Sequence, residues 1–309
     1  MTPLRIGFMV REHRSMSARR QGVIATAVSV GRLHIVAIAA LGCFTFGWLF
    51  TGHYPWLVTI LCALDWFLVN ILNRVVDLTE DVANGIAGTD FVARHRRAIL
   101  YGGFALLGFS LVVAVPFAPM VLPFRLAYHL LGFAYNWRLF GQRRLKQLYF
   151  WKNTASAMGF MLTVFAYPLA WARGQLWYGI GWSTVAATAA YFFLFELSYE
   201  IIYDLRDAPG DAGAGVRTSP VVHGPAGAAR IIDALCVSSL AILAAAFAAH
   251  VVPWRIAILG VGPLLQIFIY KRFMKRGITS RDCINLTWLG AALLVAYHGW
   301  VLAGLPGVT

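Results

Sequence analysis

Apolar residues in this chain come in long, nearly unbroken runs separated by short polar stretches. Strict alternation, as in a half-buried strand, and a narrow apolar stripe, as in a surface helix, are both absent. Nine runs stand out, at about 24–50, 55–73, 98–116, 119–138, 154–172, 176–203, 229–250, 253–271 and 283–304. A helix needs roughly 20 apolar residues to cross a hydrocarbon core of about 30 Å, and tilt accommodates the longer ones. Pro55, Pro116, Pro119, Pro123, Pro168 and Pro253 fall near the ends of runs. Proline lacks an N–H and clashes with the preceding turn, so it belongs there. The pattern predicts an all-α polytopic membrane protein, nine transmembrane helices in a single bundle.

Composition agrees. The 309 residues are 60% hydrophobic and 13% charged, with mean hydropathy +0.68. Soluble domains lie nearer 45–50% and 25%. Cys43, Cys62, Cys236 and Cys283 are scattered singly, which indicates neither a zinc site nor a disulfide framework. The net charge of +13 would suit nucleic acid if it formed one patch, but it follows the membrane topology instead. With the N-terminus inside, 23 of the 26 Lys and Arg fall on inner segments and helix ends, leaving only Arg125, Arg173 and Arg255 for the other side. The excess of Lys and Arg in cytoplasmic loops sets the orientation: N-terminus cytoplasmic, C-terminus outside, no nucleic acid as partner. Residues 1–22 read as a basic cytoplasmic segment with no signal-peptide core, and 23–309 as the nine-helix domain. A bacterial inner membrane is the expected location.

Carboxylates are scarce and unevenly spread. Eight of the 13 acidic residues lie in or just after two segments, Asn73–Asp81 and Glu200–Asp211. Asn73, Asp77 and Asp81 are spaced i, i+4, i+8. Asp204, Asp207 and Asp211 are spaced i, i+3, i+7, with Glu200 one turn earlier. Each set falls on one face of a helix, although Pro209-Gly210 is expected to end or bend the second helix and leave Asp211 in a loop. Both sets follow spans on the cytoplasmic side and can converge on one cavity mouth there. Carboxylates gathered this closely repel one another unless they share a cation. Mg2+ takes oxygen ligands, keeps waters and is commonly shared between one or two carboxylates and substrate phosphates, so the implied ligand is a phosphate or diphosphate.

The motif N-x-x-x-D-x-x-x-D after the second span, together with Asp204-Leu-Arg-Asp207-Ala-Pro-Gly-Asp211 running into Gly215 and Thr218-Ser-Pro220, resembles the paired signatures of the UbiA superfamily of intramembrane prenyltransferases. Lys152-Asn153 at the start of the fifth span is similar to a further feature of that family. The resemblance implies nine helices around a central cavity open to the cytoplasmic side. It also implies Mg2+ held by Asn73, Asp77, Asp81, Asp204, Asp207 and Asp211, and an isoprenyl diphosphate whose prenyl group passes to a small-molecule acceptor, most commonly an aromatic one. Lys152, then Arg138, Arg217 and Arg97, with Tyr149 and Tyr203, are the candidates for the diphosphate. A terpene cyclase using the same ionisation without an external acceptor is the second reading, and a transporter the third.

Two further carboxylates, Asp65 and Glu196, lie inside spans, each eight residues before a motif residue. Ionisable groups within the membrane are costly and by default functional. Both are candidate catalytic groups for the proton of the acceptor.

Overall fold

The computed structural model describes residues 28–83, 86–138 and 144–304; the basic segment 1–22 and Arg143 lie outside them. The described chain is helical throughout and has no strand. Its helices are α1 Leu33–Thr51, α2 Trp56–Val76, α3 Leu78–Ala83, α4 Thr89–Arg94, α5 Arg96–Phe117, α6 Leu122–Asn136, α7 Trp151–Trp171, α8 Trp182–Gly213, α9 Ser219–Ala248, α10 Trp254–Met274 and α11 Ser280–Leu302.

Eight of these are long and apolar enough to cross a membrane. The ninth predicted span is α6, a 15-residue helix entered through a 3-10 turn at Pro119–Val121. It is shorter because Pro119 and Pro123 both restrict its start, and its middle carries Arg125 and His129. The first span also differs from expectation. The left-handed Arg32 (φ 46°) interrupts the chain, so α1 begins at Leu33 rather than near residue 24.

The largest differences lie at α8 and α9. The 32-residue α8 is about 48 Å long at 1.5 Å per residue, well beyond a core of about 30 Å. Pro209 does not end it. The ring removes only the hydrogen bond that Leu205 O would accept, and Pro209 is exposed near the end of the helix. Asp211 is therefore helical, not in a loop. α9 starts ten residues before the predicted span and contains a break at Gly224 (φ 69°, ψ 169°), a conformation open to glycine.

Tight packing at the opposite end of the bundle depends on Gly47. A Cβ there would lie 2.4 Å from Pro55 Cγ and 2.9 Å from Pro168 Cβ, where α1, the start of α2 and α7 meet. Both neighbours are rigid rings. Gly47→Ala is expected to destabilise the protein by about 1–3 kcal/mol through overpacking, read as a lowered melting temperature in detergent. An unchanged melting temperature would show that the contact relaxes freely.

Arg125 is not an outer-side charge. It is fully buried on α6, its Nε and Nη2 donating to Asp65 Oδ2 and Oδ1 of α2 at 2.8 and 2.5 Å. His129 Nε2 lies 2.9 Å from Asp65 Oδ1, and Tyr167 on α7 donates to Asp65 Oδ2 at 2.8 Å. Arg125 also donates to Ser110 O and Ser110 Oγ of α5, at 3.0 Å each. One network thus ties four helices together.

Candidate functional site

A cavity of about 730 Å³ runs through the bundle, lined by α1, α2, α6, α7, α8, α10 and α11. Asn73, Asp77 and Asp81 line it from one side and Asp204, Asp207 and Asp211 from the other. The two acidic segments, 123 residues apart from Asp81 to Asp204 in the chain, therefore face one space.

The first set keeps its helical register across a break. α2 stops at Val76 and Asp77 caps it (φ −92°, ψ 16°) before α3 resumes. Asp77 N–H still donates to Asn73 O at 2.9 Å and Asp81 N–H to Asp77 O at 2.8 Å. The i→i−4 bonds carry the three side chains on the same side. On α8 the second set needs no such device.

Basic residues hold the carboxylates in pairs. Lys152 Nζ lies 2.8 Å from Asp204 Oδ1 and 2.8 Å from Asp211 Oδ2, and Asn153 Nδ2 donates to Asp204 Oδ2 at 2.8 Å. Lys146 Nζ bridges Asp77 Oδ1 at 2.7 Å and Glu80 Oε2 at 2.5 Å. Arg144 donates to Asp77 Oδ1 at 2.9 Å and also to Glu80. Arg74, fully buried, donates to Asp81 Oδ2 at 2.7 Å and Ala87 O at 2.7 Å. Arg206 forms a two-bonded pair with Asp207 at 2.7 and 2.6 Å. Burial pushes the Asp81 carboxyl up, against the pull of Arg32 and Arg74. At Glu80 burial acts the same way but is outweighed by Lys146 and Arg144, which hold the carboxyl below the usual range.

The donor set is one that Mg2+ accepts. Every candidate ligand is an oxygen, and Asn73 Oδ1 on the cavity wall is buried without a hydrogen-bond partner. Among the described residues no three of His, Cys, Asp and Glu converge on a single point. Mg2+ is commonly carried by one or two carboxylates, with its remaining positions filled by water and substrate oxygens.

Other sequence candidates are distributed unequally. Tyr203 lines the cavity and its hydroxyl lies 2.6 Å from Thr287 Oγ1. Glu196 lines it deeper, buried on α8. Asp65 is fully buried and off the cavity wall, and its oxygens are engaged by Arg125, His129 and Tyr167. Arg97 and Arg138 are exposed and off the wall: Arg97 sits on α5, which does not line the cavity, and Arg138 follows the end of α6. Tyr149 and Arg217 are also off the wall. Arg217 stacks over the Tyr149 ring at 5.9 Å, and the Tyr149 hydroxyl lies 2.6 Å from His223 Nε2.

Sequence reasoning did not single out Lys146, Arg144, Arg74 or Arg206. All four sat within the general basic bias of the inner segments, and nothing in their spacing separates them from solvated anchors. Ser156 was missed as well; it donates to Glu200 Oε1 at 2.7 Å.

The profile of the UbiA prenyltransferase family matches residues 35–289. No curated protein sequence matches the chain. Among solved structures, a UbiA homolog from Archaeoglobus fulgidus bound to DMAPP and Mg2+ is similar with TM-score 0.68 at 16% identity, over 90% of this chain and 99% of that one. The same homolog bound to GPP and Mg2+ gives 0.67 at 16% identity, over the same shares. A UbiA homolog from Aeropyrum pernix K1 gives 0.55 at 16% identity, over 88% of this chain and 98% of that one.

Proposed function

The chain belongs to the UbiA prenyltransferase family, and from that premise we propose that it transfers an isoprenyl group from an isoprenyl diphosphate to a small-molecule acceptor, with an aromatic acceptor ranked first. The observation that carries the reading is the pair of Asp sets facing one cavity, each already held against a lysine. That the Archaeoglobus fulgidus homolog binds DMAPP or GPP with Mg2+ on the same fold supports it.

In this reading Asn73, Asp77 and Asp81 on one wall, and Asp204, Asp207 and Asp211 on the other, hold Mg2+ and through it the diphosphate. Bound Mg2+ supplies Lewis-acid stabilisation of the charge that develops on the departing diphosphate. Lys152 and Lys146 exchange part of their contact with the carboxylates for the diphosphate oxygens. They keep positive charge fixed where negative charge grows, which is the electrostatic contribution that preorganised sites make. Glu196 receives the acceptor's proton, assisted by Glu200 one turn nearer the Asp set. Glu196 lines the cavity and, among the described residues, forms no salt bridge. The distribution of Lys and Arg supports a cytoplasmic N-terminus and an outside C-terminus, and the membrane proposed is a bacterial inner membrane.

Diphosphate release by purified protein tests the reading. With Mg2+ and isoprenyl diphosphates of two or more units, release is expected only when an aromatic acceptor is added, and chelation of the metal abolishes it. Release without acceptor, accompanied by a cyclised product, would favour the terpene cyclase. Metal-independent release, or none with any acceptor, would remove the proposed reaction.

A further inference from the structure

The cavity continues far past the Asp sets. The Tyr203 hydroxyl lies 2.6 Å from Thr287 Oγ1, which brings α8 and α11 level one residue from Asp204. Both helices go on lining the cavity from there, α8 as far as Tyr191 and α11 as far as Trp300. At 1.5 Å per residue each stretch spans about 20 Å.

The deep end suits hydrocarbon. The Tyr191 hydroxyl donates to Leu259 O at 2.7 Å and the Tyr297 hydroxyl to Arg255 O at 2.9 Å, so both are already engaged. Trp300 Nε1 is buried without a hydrogen-bond partner. The carboxylates Glu196 and Glu200 occupy the α8 wall only. Ile38, Phe46, Phe192 and Leu294 supply an apolar wall from α1, α8 and α11.

Resting on the reading that the cavity receives an isoprenyl diphosphate, we propose that it is built for a tail of four isoprenyl units and that Gly262 keeps its deep end open. With C–C bonds near 1.5 Å, a four-bond isoprenyl repeat extends roughly 5 Å, so four units fill the 20 Å between the Asp level and the Tyr191–Trp300 floor. A two-unit tail ends halfway and leaves the aromatic floor uncovered. Gly262 on α10 lines that floor region, and a Cβ there meets only the Phe195 ring, at 3.5 Å. A larger side chain is therefore admitted by its neighbours and stands beside Phe195, about 13 Å from the Asp204 level, where the third unit would lie and beyond which the fourth must pass.

The test is equilibrium binding in lipid nanodiscs with Mg2+, using geranyl, geranylgeranyl and hexaprenyl diphosphate on wild type and Gly262→Leu. Burial of two more apolar units should make geranylgeranyl diphosphate bind at least about 30-fold tighter than geranyl diphosphate, with at most about threefold more from hexaprenyl. Gly262→Leu should lower the geranylgeranyl-to-geranyl affinity ratio at least about tenfold while geranyl binding stays within about twofold of wild type. The ratio between variant and wild type cancels the tails' own partitioning into lipid. Leu294→Trp, on the facing wall, should act in the same direction and serves if Gly262→Leu fails to fold. An unchanged ratio in the variants, or a hexaprenyl tail favoured as strongly over four units as four over two, would overturn the length assignment and leave the prenyl diphosphate reading standing. Failure of the wild type to bind any of the three would overturn both.

Discussion

Asp77→Ala and Asp204→Ala each lower Mg2+-dependent diphosphate release by at least about 10²-fold, the usual cost of removing one preorganised group that acts on transition-state charge. The two residues are the best-connected carboxylates of their sets. Asp77 Oδ1 accepts from both Lys146 and Arg144, and Asp204 accepts from Lys152 and Asn153. Their removal takes away an oxygen ligand and also releases the cations that would face the diphosphate. The fold should survive. Asp77 lies at the end of α2, and Lys146 keeps Glu80 as a partner while Lys152 keeps Asp211. Release measured beside a melting curve separates the two effects. Turnover within a few-fold of wild type in either variant would remove that residue from the metal site. Loss of activity together with loss of the folded transition would mean the carboxylate is structural.

Arg125→Ala has the largest expected effect on stability. It leaves the fully buried Asp65 without the arginine that compensates its charge, inside a bundle that lies in the membrane. Breaking a buried pair by removing one partner costs about 3–5 kcal/mol. Arg125→Lys should recover only part of that, because a point-like ammonium cannot reproduce the two-bonded fork to Asp65 or the bonds to Ser110. Neutralising both partners, Asp65→Asn with Arg125→Gln, should cost less than Arg125→Ala alone, since no uncompensated charge remains. Thermal unfolding in one detergent across the four proteins gives the comparison. A double variant as unstable as Arg125→Ala, or an Arg125→Ala that melts like wild type, would show that the charge pair is not what joins α2 to α6. The link bears on the site because α2 carries Asn73 two turns beyond Asp65, and Tyr167, a third partner of Asp65, shares α7 with Lys152.

Much of the architecture was legible in the chain. The apolar runs are long enough that only helices satisfy the backbone across a bilayer, and eight of the nine segments form helices that meet that length. The spacings of Asn73, Asp77 and Asp81 and of Asp204, Asp207 and Asp211 announced one-sided acidic faces, and both faces line the cavity. Less was legible where a residue's meaning depends on its neighbours. Asp65 and Glu196 look alike in sequence, each an acid inside a span eight residues before a motif. One is enclosed by Arg125, His129 and Tyr167, and the other faces open space. Pro209 looked like a helix end, yet the helix continues because the single lost bond falls near its exposed terminus.

The basic residues divide in the same way. Lys152, next to Asn153 at the head of α7, could be named from its position in the chain. Lys146 could not be told from Arg97 or Arg138, since all three are cations in polar segments of the same side. Hydropathy and helical period are local properties of consecutive residues, so the chain alone set the membrane-length helices, their number to within one among the described residues, and the residue types of the site. Which cations meet which carboxylates, and which buried acid lines the cavity, was decided by tertiary structure alone, because a charge takes its role from partners brought within about 3 Å of it by segments far away in the chain.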